Sequence, residues 1–595
     1  MADKANAWRQ DCRWLVAPAW QGRDDLARRL RSSPLIAQIL YNRGLQGDDE
    51  IKSFLTPRLN DLLPPEALPD CDKAADILCQ AVAAGTKICI YGDYDVDGMT
   101  GTAILYRILA AHGATVDYYV PHRLEEGYGV NVSAIEKLAA EGVKLLVTVD
   151  CGISAVEALT RAAELGIETI ITDHHGLGET LPPARAIVHP ALPGKESPNV
   201  HLCGSGVAFK LAWAFARAHA GTPRVDEPTR NFLIEAMSLA ALGVIADVVP
   251  LVGENRVLAV YGLKCLAATE HVGIKALLES ARLVGERLDA FHVGFCLAPR
   301  LNACGRMGHA RLAVELLARA DAERCRTIAT HLENANVQRQ KVEREIIEQA
   351  RQMHDAALLT GPDDYAVVVA NENWHAGVVG IVASRLVEQY HRPAIVIAID
   401  GEYAQGSARS IPGLHMRDAL ASCGQHLEHF GGHAMAGGLR LKKANLKAFA
   451  RDFAAFARSI LRPEDLRASL RIDAETSIAD LSMPVVDQIV RLAPFGQGNP
   501  APLVVMRNCR ILSPPQRMGK TGATVSFLAG QNGTGQSAGV QSAPAHRIRC
   551  VGFHMGELPD RLMGVQTVDL AGKPMVNTFN GRSSPEFHLS DVAWD

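Results

Sequence analysis

Three aspartates spaced two apart, Asp93, Asp95 and Asp97, follow the apolar run KICIYG (87–92) in the stretch GDYDVDG. Asp150 closes a second apolar run, KLLVTVD (144–150), and Asp173, His174 and His175 close a third, ETIITDHH (168–175). A further acid, Asp247, sits inside the apolar stretch LAALGVIADVVPL. A carboxylate there is costly to bury unless it is paired or bound to a metal. At least five carboxylates gathered at one place would repel one another and raise each other's pKa values, which a cation relieves. Hard carboxylates with imidazole suit Mn2+ or Mg2+ better than a thiolate-selecting metal. The ligands exceed the needs of one ion, which favours two cations about 3.5–4 Å apart sharing a carboxylate, an arrangement that clamps an in-line phosphoryl displacement.

Each signal has a plainer reading when taken alone. Asp93–Asp97 could be a turn capping a helix, and D-x-D-x-D also opens calcium loops, but the bidentate acid such a loop needs falls near Ile104. Asp150 before Cys151-Gly152 could be an N-cap, and a lone His174 would more often be a hydrogen-bonded surface residue. Taken together the coincidences at strand ends favour a metal site.

The elements that must position these residues follow from periodicity. Short β-rich runs at 87–92, 116–122, 144–150, 168–175 and 186–190 alternate with amphipathic stretches such as 134–142 and 155–166 that end in glycine. This alternation argues for right-handed βαβ units and a parallel sheet. In an open α/β sheet, ligands bind beyond the carboxyl ends of the strands, where these acids and imidazoles fall. Residues 33–55 read as helices, with Ser33 as N-cap and Pro34 at the first helical position, and 228–320 read mainly as helix. Residues 321–353 predict one long polar helix, uninterrupted by Gly or Pro and roughly 50 Å long at 1.5 Å per residue.

A second α/β block follows, with strands at 365–371 and 393–400 around a helix at 378–389. Beyond about residue 467 come short strands at 501–512, 524–528 and 547–553, which predict a small barrel or sandwich, interrupted by a Gly/Ser/Gln loop at 530–546. Residues 500–582 carry nine Lys/Arg against three Asp/Glu, a local basic patch inside a chain whose 61 basic and 65 acidic residues sum to −4. Of the weaker phosphate-loop signals, Gly204-Ser205-Gly206 reads as packing, while Gly431 and Gly432 leave room for close backbone approach.

The chain has 595 residues, 48% hydrophobic and 21% charged, which excludes collagen, rod, disordered and disulfide-scaffold classes and leaves three to five domains. Its 13 cysteines are odd in number and form no C-x-x-C pair, so they read as reduced intracellular thiols and argue against a Cys-ligated zinc. The first residues lack an apolar run, and the apolar stretch 236–252 is broken by Ser238, Asp247 and Pro250, so neither a secretory signal nor a membrane span is expected. The expected location is the cytoplasm.

GDYDVDG, VTVDCGIS, TDHH and GVIADVVPL resemble, in this order, the motifs of the DHH phosphoesterase superfamily. LAPRLNACGRMGHA (297–310), NENWHAGVVGIVASRL (371–386), GSARSIPGLH (406–415), FGGHAMAGGL (430–439) and LAPFGQGNPAP (492–502) extend the likeness to the RecJ family of single-stranded-DNA-specific exonucleases. The resemblance covers roughly residues 30–530. It implies an α/β fold with a parallel-sheet DHH domain and a smaller α/β DHHA1 domain joined by a long helix, plus a C-terminal OB-fold β-barrel. The boundaries expected are 1–60 for an N-terminal helical segment, 61–320 for DHH, 321–357 for the connector, 358–462 for DHHA1 and 463–595 for the OB-fold with a C-terminal extension.

Position by position, the resemblance implies Asp93, Asp95, Asp97, Asp150, His174 and Asp247 as metal ligands, with Asp150 bridging. His175, with Asp97 and Asp150, would be catalytic, polarising a phosphate oxygen or protonating the leaving group, and Asp173 would orient a ligand histidine. Many DHH enzymes carry a histidine four residues before Asp95; here Tyr91 stands there, one nitrogen ligand fewer. Arg409 with Ser407 would grip nucleic-acid phosphate, joined by Arg123, Asn302, Arg306 and His433. The implied activity is 5′-to-3′ hydrolysis of single-stranded DNA with two divalent cations, Mn2+ or Mg2+, releasing mononucleotides in DNA repair and recombination. The implied setting is a monomer without membrane attachment, beside a single-strand-binding protein and a helicase. Two alternatives stand against this: a DHH phosphodiesterase or pyrophosphatase for small or oligonucleotide substrates, disfavoured by the basic third block, and a DNA-binding scaffold without metals, disfavoured by the acids present.

Overall fold

The computed structural model describes residues 12–122, 126–127, 129–306, 310–531 and 546–594. Contacts divide the chain into two compact units. The first comprises 48–339 and 494–500; the second comprises 1–47, 340–493 and 501–595. Strand β1 (Arg13–Val16) belongs to the second unit and is taken up with it below.

In the first unit the strands are β2 (Ile88–Gly92), β3 (Val116–Tyr119), β4 (Leu145–Val149), β5 (Glu168–Thr172) and β6 (Ala186–Val188). Among the described residues they form a five-stranded, all-parallel sheet in the order β3-β2-β4-β5-β6. β2 and β4 are buried at every position, as a strand covered on both faces requires. One face packs on the helices Cys71–Ala83, Val96–Ala111 and Gly204–Ala220, the other on Val132–Ala140 and Val156–Glu164. The order reverses at β2, so the carboxyl ends of β2 and β4 lie beside a topological switch point.

Among the described residues one helix, Glu227–Ala246, is long and apolar enough to cross a membrane by length and composition. Here Leu239, Ala240 and Leu242 are fully buried in the first unit's core. The expected polar helix spans Ala322–Asp355, 34 residues. Cys325, Ile328 and Leu332 near its start pack into the first unit's core, and Ile346, Ile347 and Ala350 into a core of the second.

In the second unit, β7 (Val367–Asn371), β8 (Ala394–Asp400), β9 (Tyr403–Arg409), β10 (Leu427–Gly432) and β11 (Ala436–Lys442) form a mixed sheet in the order β10-β11-β9-β8-β7 among the described residues. The helix Val379–Tyr390 links the parallel pair β7 and β8. Pro34–Asn42 is a helix capped as its sequence predicts: the Ser33 side chain accepts a hydrogen bond from Ile36 N.

The C-terminal strands are β12 (Ser469–Ile472), β13 (Ala474–Glu475), β14 (Val504–Ile511), β15 (Gln516–Met518), β16 (Thr524–Gln531), β17 (His546–Gly552), β18 (Thr567–Phe579) and β19 (Arg582–Ala593). β1 pairs in parallel with β12, so the expected all-helical start of the chain also contributes a strand. Among the described residues β13 to β19 make a seven-stranded sheet in the order β13-β14-β18-β19-β17-β16-β15, with β13 and β15 as edges. A two-residue pairing of β14 with β16, Arg510 with Gly530 and Ile511 with Ala529, curls the sheet back on itself, so the pairings run β14-β18-β19-β17-β16 and return to β14. Most of the 530–546 loop lies outside the described residues.

Candidate metal centre

Asp93 follows β2 and is buried, its N–H bonded to Val149 O at 3.2 Å. Asp95 caps the helix Val96–Ala111, its Oδ1 accepting from Asp97 N at 3.0 Å and Gly98 N at 3.2 Å. The capping and ligand readings of this acid therefore coexist on one carboxylate. Asp97, in the first turn of that helix, is held across the core by another helix start. Its Oδ2 accepts from Gly204 N at 2.6 Å and its Oδ1 from Ser205 N at 2.9 Å, the first amides of Gly204–Ala220. The positive end of a helix dipole thus faces a carboxylate. The Gly204-Ser205-Gly206 triplet, read from sequence as packing, supplies these donors; only the tertiary structure brings them to Asp97.

Asp150 follows β4 with φ of 62°, a left-handed bend tolerated by aspartate. Its N–H bonds Thr172 O at 3.0 Å, which ties the bend to the end of β5. His174 Nε2 lies 3.0 Å from Asp150 Oδ1, 3.8 Å from Asp97 Oδ2 and 3.7 Å from Asp247 Oδ2. Asp247, which sequence places in an apolar run, terminates the helix Glu227–Ala246 and so emerges from the core with its carboxylate among these groups. Asp173 accepts from Ile153 N at 2.9 Å, His174 N at 2.7 Å and His175 N at 3.1 Å, and its Oδ1 stands 2.8 Å from His175 Nδ1. It orients the catalytic candidate His175 rather than the ligand candidate His174.

Three overlapping sets have ligand atoms within 4.8 Å of one another: Asp93, Asp95 and Asp150; Asp150, His174 and His175; and Asp97, His174 and Asp247. Asp150 links the first two and His174 the last two. The electrostatics fit a cation site. Burial, then the charges of Asp97, Asp95, Asp93 and Asp173, push the Asp150 carboxyl well above the usual carboxylate range. Burial and Asp97 raise Asp95 likewise, and burial with Asp97 and Asp95 pushes Asp247 up to about 8. Burial holds the His174 imidazole below its ordinary value, in the neutral form a metal needs, although Asp97 pulls the other way. Burial also opposes charge on His175, but the Asp173 hydrogen bond and charge, with Asp247 and Asp93, push it up to about 9. Carboxylates crowded together beside a neutral imidazole are the donor set of a hard divalent cation.

Tyr91 does not join the cluster. Its buried hydroxyl donates to Gly129 O at 3.0 Å and receives Asn131 Nδ2 at 3.3 Å. Asn302 reaches the metal loop from another helix, its Oδ1 accepting from Val96 N at 3.1 Å. Arg306 closes that same helix, and neighbouring Gly305 packs so tightly on the loop that a Cβ would stand 2.4 Å from Tyr94 O. Arg123 lies outside the described residues.

Ser407, Arg409 and His433 belong to the second unit. Ser407 and Arg409 alternate on β9 and so share a face. Gly380, in the first turn of Val379–Tyr390, approaches both: its Cβ would stand 3.0 Å from Ser407 Oγ and 3.4 Å from Arg409 Nη2. A helix N-terminus beside a serine and an arginine can cradle a phosphate. Gly380 was not singled out in the sequence, where it falls in the helix expected at 378–389 and in the motif 371–386. His433 sits on the exposed turn between β10 and β11, its N–H donating at 2.8 Å to the carbonyl of Ala436, the residue paired with Arg409.

Comparison with known families completes the description. The DHH family N-terminal domain matches residues 87–244, the DHHA1 domain 363–459 and the RecJ OB domain 472–591. The single-stranded-DNA-specific exonuclease RecJ of Bacillus subtilis is 38% identical over 571 residues, 96% of this chain and 69% of that protein. The chain belongs to the RecJ family. A crystal structure of Thermus thermophilus RecJ in complex with Mn2+ superposes with a TM-score of 0.81 at 32% identity, covering 99% of this chain and 80% of that one. Its complex with Mg2+ gives 0.75 at 30%, covering 98% and 79%. The sheet whose strand ends carry Asp93, Asp150 and His174 lies within the segment matched by the DHH family N-terminal domain.

Proposed function

We propose that this RecJ-family protein hydrolyses single-stranded DNA stepwise from its 5′ end, and that Asp93, Asp95, Asp97, Asp150, His174 and Asp247 hold two divalent cations, Mn2+ or Mg2+. The observation that carries the reading is the gathering of carboxylate and imidazole atoms from separate segments into three sets chained together through Asp150 and His174. Bound cations would supply positive charge to the phosphoryl group and lower the pKa of the attacking water. The protein's own groups do the rest. The helix amides at Gly204 and Ser205 hold the Asp97 carboxylate in place. His175, charged at neutral pH and held through Nδ1 by Asp173, carries its second proton on Nε2. That proton goes to the departing 3′ oxygen of the terminal nucleotide as water adds to the next phosphorus, leaving a 5′-mononucleotide and a shortened strand with a new 5′ phosphate. Ser407, Arg409 and the start of Val379–Tyr390 suit the terminal phosphate, and Asn302 and Arg306 the strand beside the metal loop.

The proposal extends to the domain boundaries 1–60, 61–320, 321–357, 358–462 and 463–595, to grip of the strand by the basic C-terminal block, and to a cytoplasmic monomer working in repair and recombination beside a single-strand-binding protein and a helicase. The deciding experiment compares 5′-labelled and 3′-labelled single strands, duplex and dinucleotides with Mn2+, for the native chain and Asp150→Ala. Mononucleotides released from the 5′ end of long single strands, and lost in Asp150→Ala with folding unchanged, are expected. Equal attack on duplex, preference for dinucleotides, or turnover surviving in Asp150→Ala overturns it.

A further inference from the structure

At the end of the helix Glu227–Ala246 the chain takes a path its own residues resist. Asp247 has an ordinary φ of −78°, but Val248 has φ of 59° and a largely exposed side chain. A β-branched residue avoids left-handed backbone, and such strain persists only where the surroundings over-determine it. The surroundings include a turn from distant sequence, the segment Pro494–Pro500, which belongs to the first unit although the chain on either side belongs to the second. Leu251 N donates to Gln497 O at 2.8 Å. Gly496 is pressed so near Leu251 that a Cβ would stand 2.8 Å from its Cδ1, and Gly498, with φ of 72°, so near Pro250 that a Cβ would stand 3.1 Å from its Cβ. The turn is closed on itself. Gly496 and Asn499 exchange backbone hydrogen bonds of 2.9 and 3.2 Å, and the fully buried Asn499 donates Nδ2 to Pro494 O at 2.9 Å. Asn255 completes the hold, donating to Pro250 O at 3.1 Å and His201 O at 2.8 Å.

We infer that the turn Pro494–Pro500 is a positioning element of the metal centre, with Asn499 as its keystone. It holds residues 248–251 on their strained path and thereby sets the Asp247 carboxylate against Asp97 and His174. The inference rests on the reading of Asp247 as a metal ligand. Loosening the turn therefore weakens the cation site before it weakens the fold, and excess cation restores turnover.

The test uses the full chain with Asn499→Ala, Val248→Gly, their combination, and Asp247→Asn. Mn2+ binding is followed by the electron paramagnetic resonance of free Mn2+, alongside thermal melting and the Mn2+ dependence of single-strand hydrolysis. Asn499→Ala is expected to weaken Mn2+ binding about tenfold, the lower range for groups that orient metal ligands, with kcat recovered at saturating Mn2+. Val248→Gly removes the strain, so adding Asn499→Ala to it costs much less, a non-additivity that a purely structural role does not produce. If Asn499→Ala melts below the assay temperature, Gly498→Ala, which sets a side chain against Pro250, carries the same comparison. Unchanged Mn2+ affinity in the turn variant while Asp247→Asn loses it, or equal losses in both Val248 backgrounds, overturns the inference alone. Unchanged affinity in Asp247→Asn overturns the ligand reading first.

Discussion

Gly204→Ala is the sharpest test of how the metal centre is built. Gly204 opens a helix, where alanine is intrinsically favoured over glycine by up to about 1 kcal/mol, so the substitution has no reason to loosen the helix itself. Its Cβ, however, would stand 2.6 Å from Asp150 Cβ and 2.7 Å from Asp150 Oδ1. Carbon atoms rest about 3.5–4.0 Å apart, so one side must yield by about 1 Å. Asp150 is buried at the end of an interior strand, and Gly204 N is bonded to Asp97, so the movement falls on the two acids at the centre of the cluster. A displacement of about 1 Å at a reacting centre costs on the order of 10²-fold in rate. Steady-state release from 5′-labelled single strands, titrated with Mn2+, is expected to show a loss of that size with a higher Mn2+ requirement and a melting point near the native one. Gly206→Ala is the control. Its Cβ would meet the Leu202 side chain, at 2.5 Å from Cδ1 and 2.8 Å from Cγ, and none of the acids, so the loss of activity should stay under about threefold, less than 1 kcal/mol of barrier. Native-like activity and Mn2+ requirement in Gly204→Ala, or an equal loss in Gly206→Ala, would refute this reasoning.

Asp150→Asn should melt higher than the native protein when both are metal-free, because it removes one of several mutually repelling buried charges, while its hydrolysis falls by on the order of 10³-fold or more; a lower metal-free melting point counts against the crowding argument. Asp247, with its folded value up at about 8 against an ordinary carboxyl near 4, binds more protons folded than unfolded between those limits. Its contribution to metal-free stability is therefore complete at low pH and is lost as pH rises through about 8, so the melting-point gain on adding Mg2+ should be larger at pH 8.5 than at pH 6; scanning fluorimetry giving equal gains refutes it. Tyr91→Phe removes a buried hydroxyl bonded to Gly129 O and Asn131, so it should cost about 1 kcal/mol of stability by denaturant melting and leave the Mn2+ requirement unchanged; a changed requirement would place Tyr91 in the metal site. Arg409→Lys keeps the charge but loses the fork beside Ser407 and Gly380, so KM for 5′-phosphorylated strands should rise about tenfold with kcat little altered; a kcat loss at constant KM refutes a binding role.

Much of the site was legible because its residues sit where local sequence rules act. The apolar runs ending in Asp93, Asp150 and Asp173-His174-His175 are buried parallel strands, and the carboxyl end of such a strand is a predictable address. The same holds for Ser33 before Pro34, whose cap is local, and for the helix Ala322–Asp355, which lacks Gly and Pro. What stayed hidden has its partner far along the chain. Gly204 and Ser205 serve Asp97 from more than 100 residues away, and the strand Arg13–Val16 finds its mate at Ser469–Ile472. The long strands Thr567–Phe579 and Arg582–Ala593, half-buried and mixed in character, gave no clean alternation, and with them went the strand order of the C-terminal sheet.

By itself, then, the order of amino acids determined which groups could bind a cation and on which kind of element each would ride. The tertiary structure alone decided which oxygen faces which nitrogen, which helix amides steady Asp97, and how a turn at 494–500 comes to brace the bend after Asp247. The reason is physical: apolar periodicity and caps are short-range preferences written in neighbouring residues, whereas hydrogen bonds, charge crowding and close glycine contacts exist only once distant segments have been packed together.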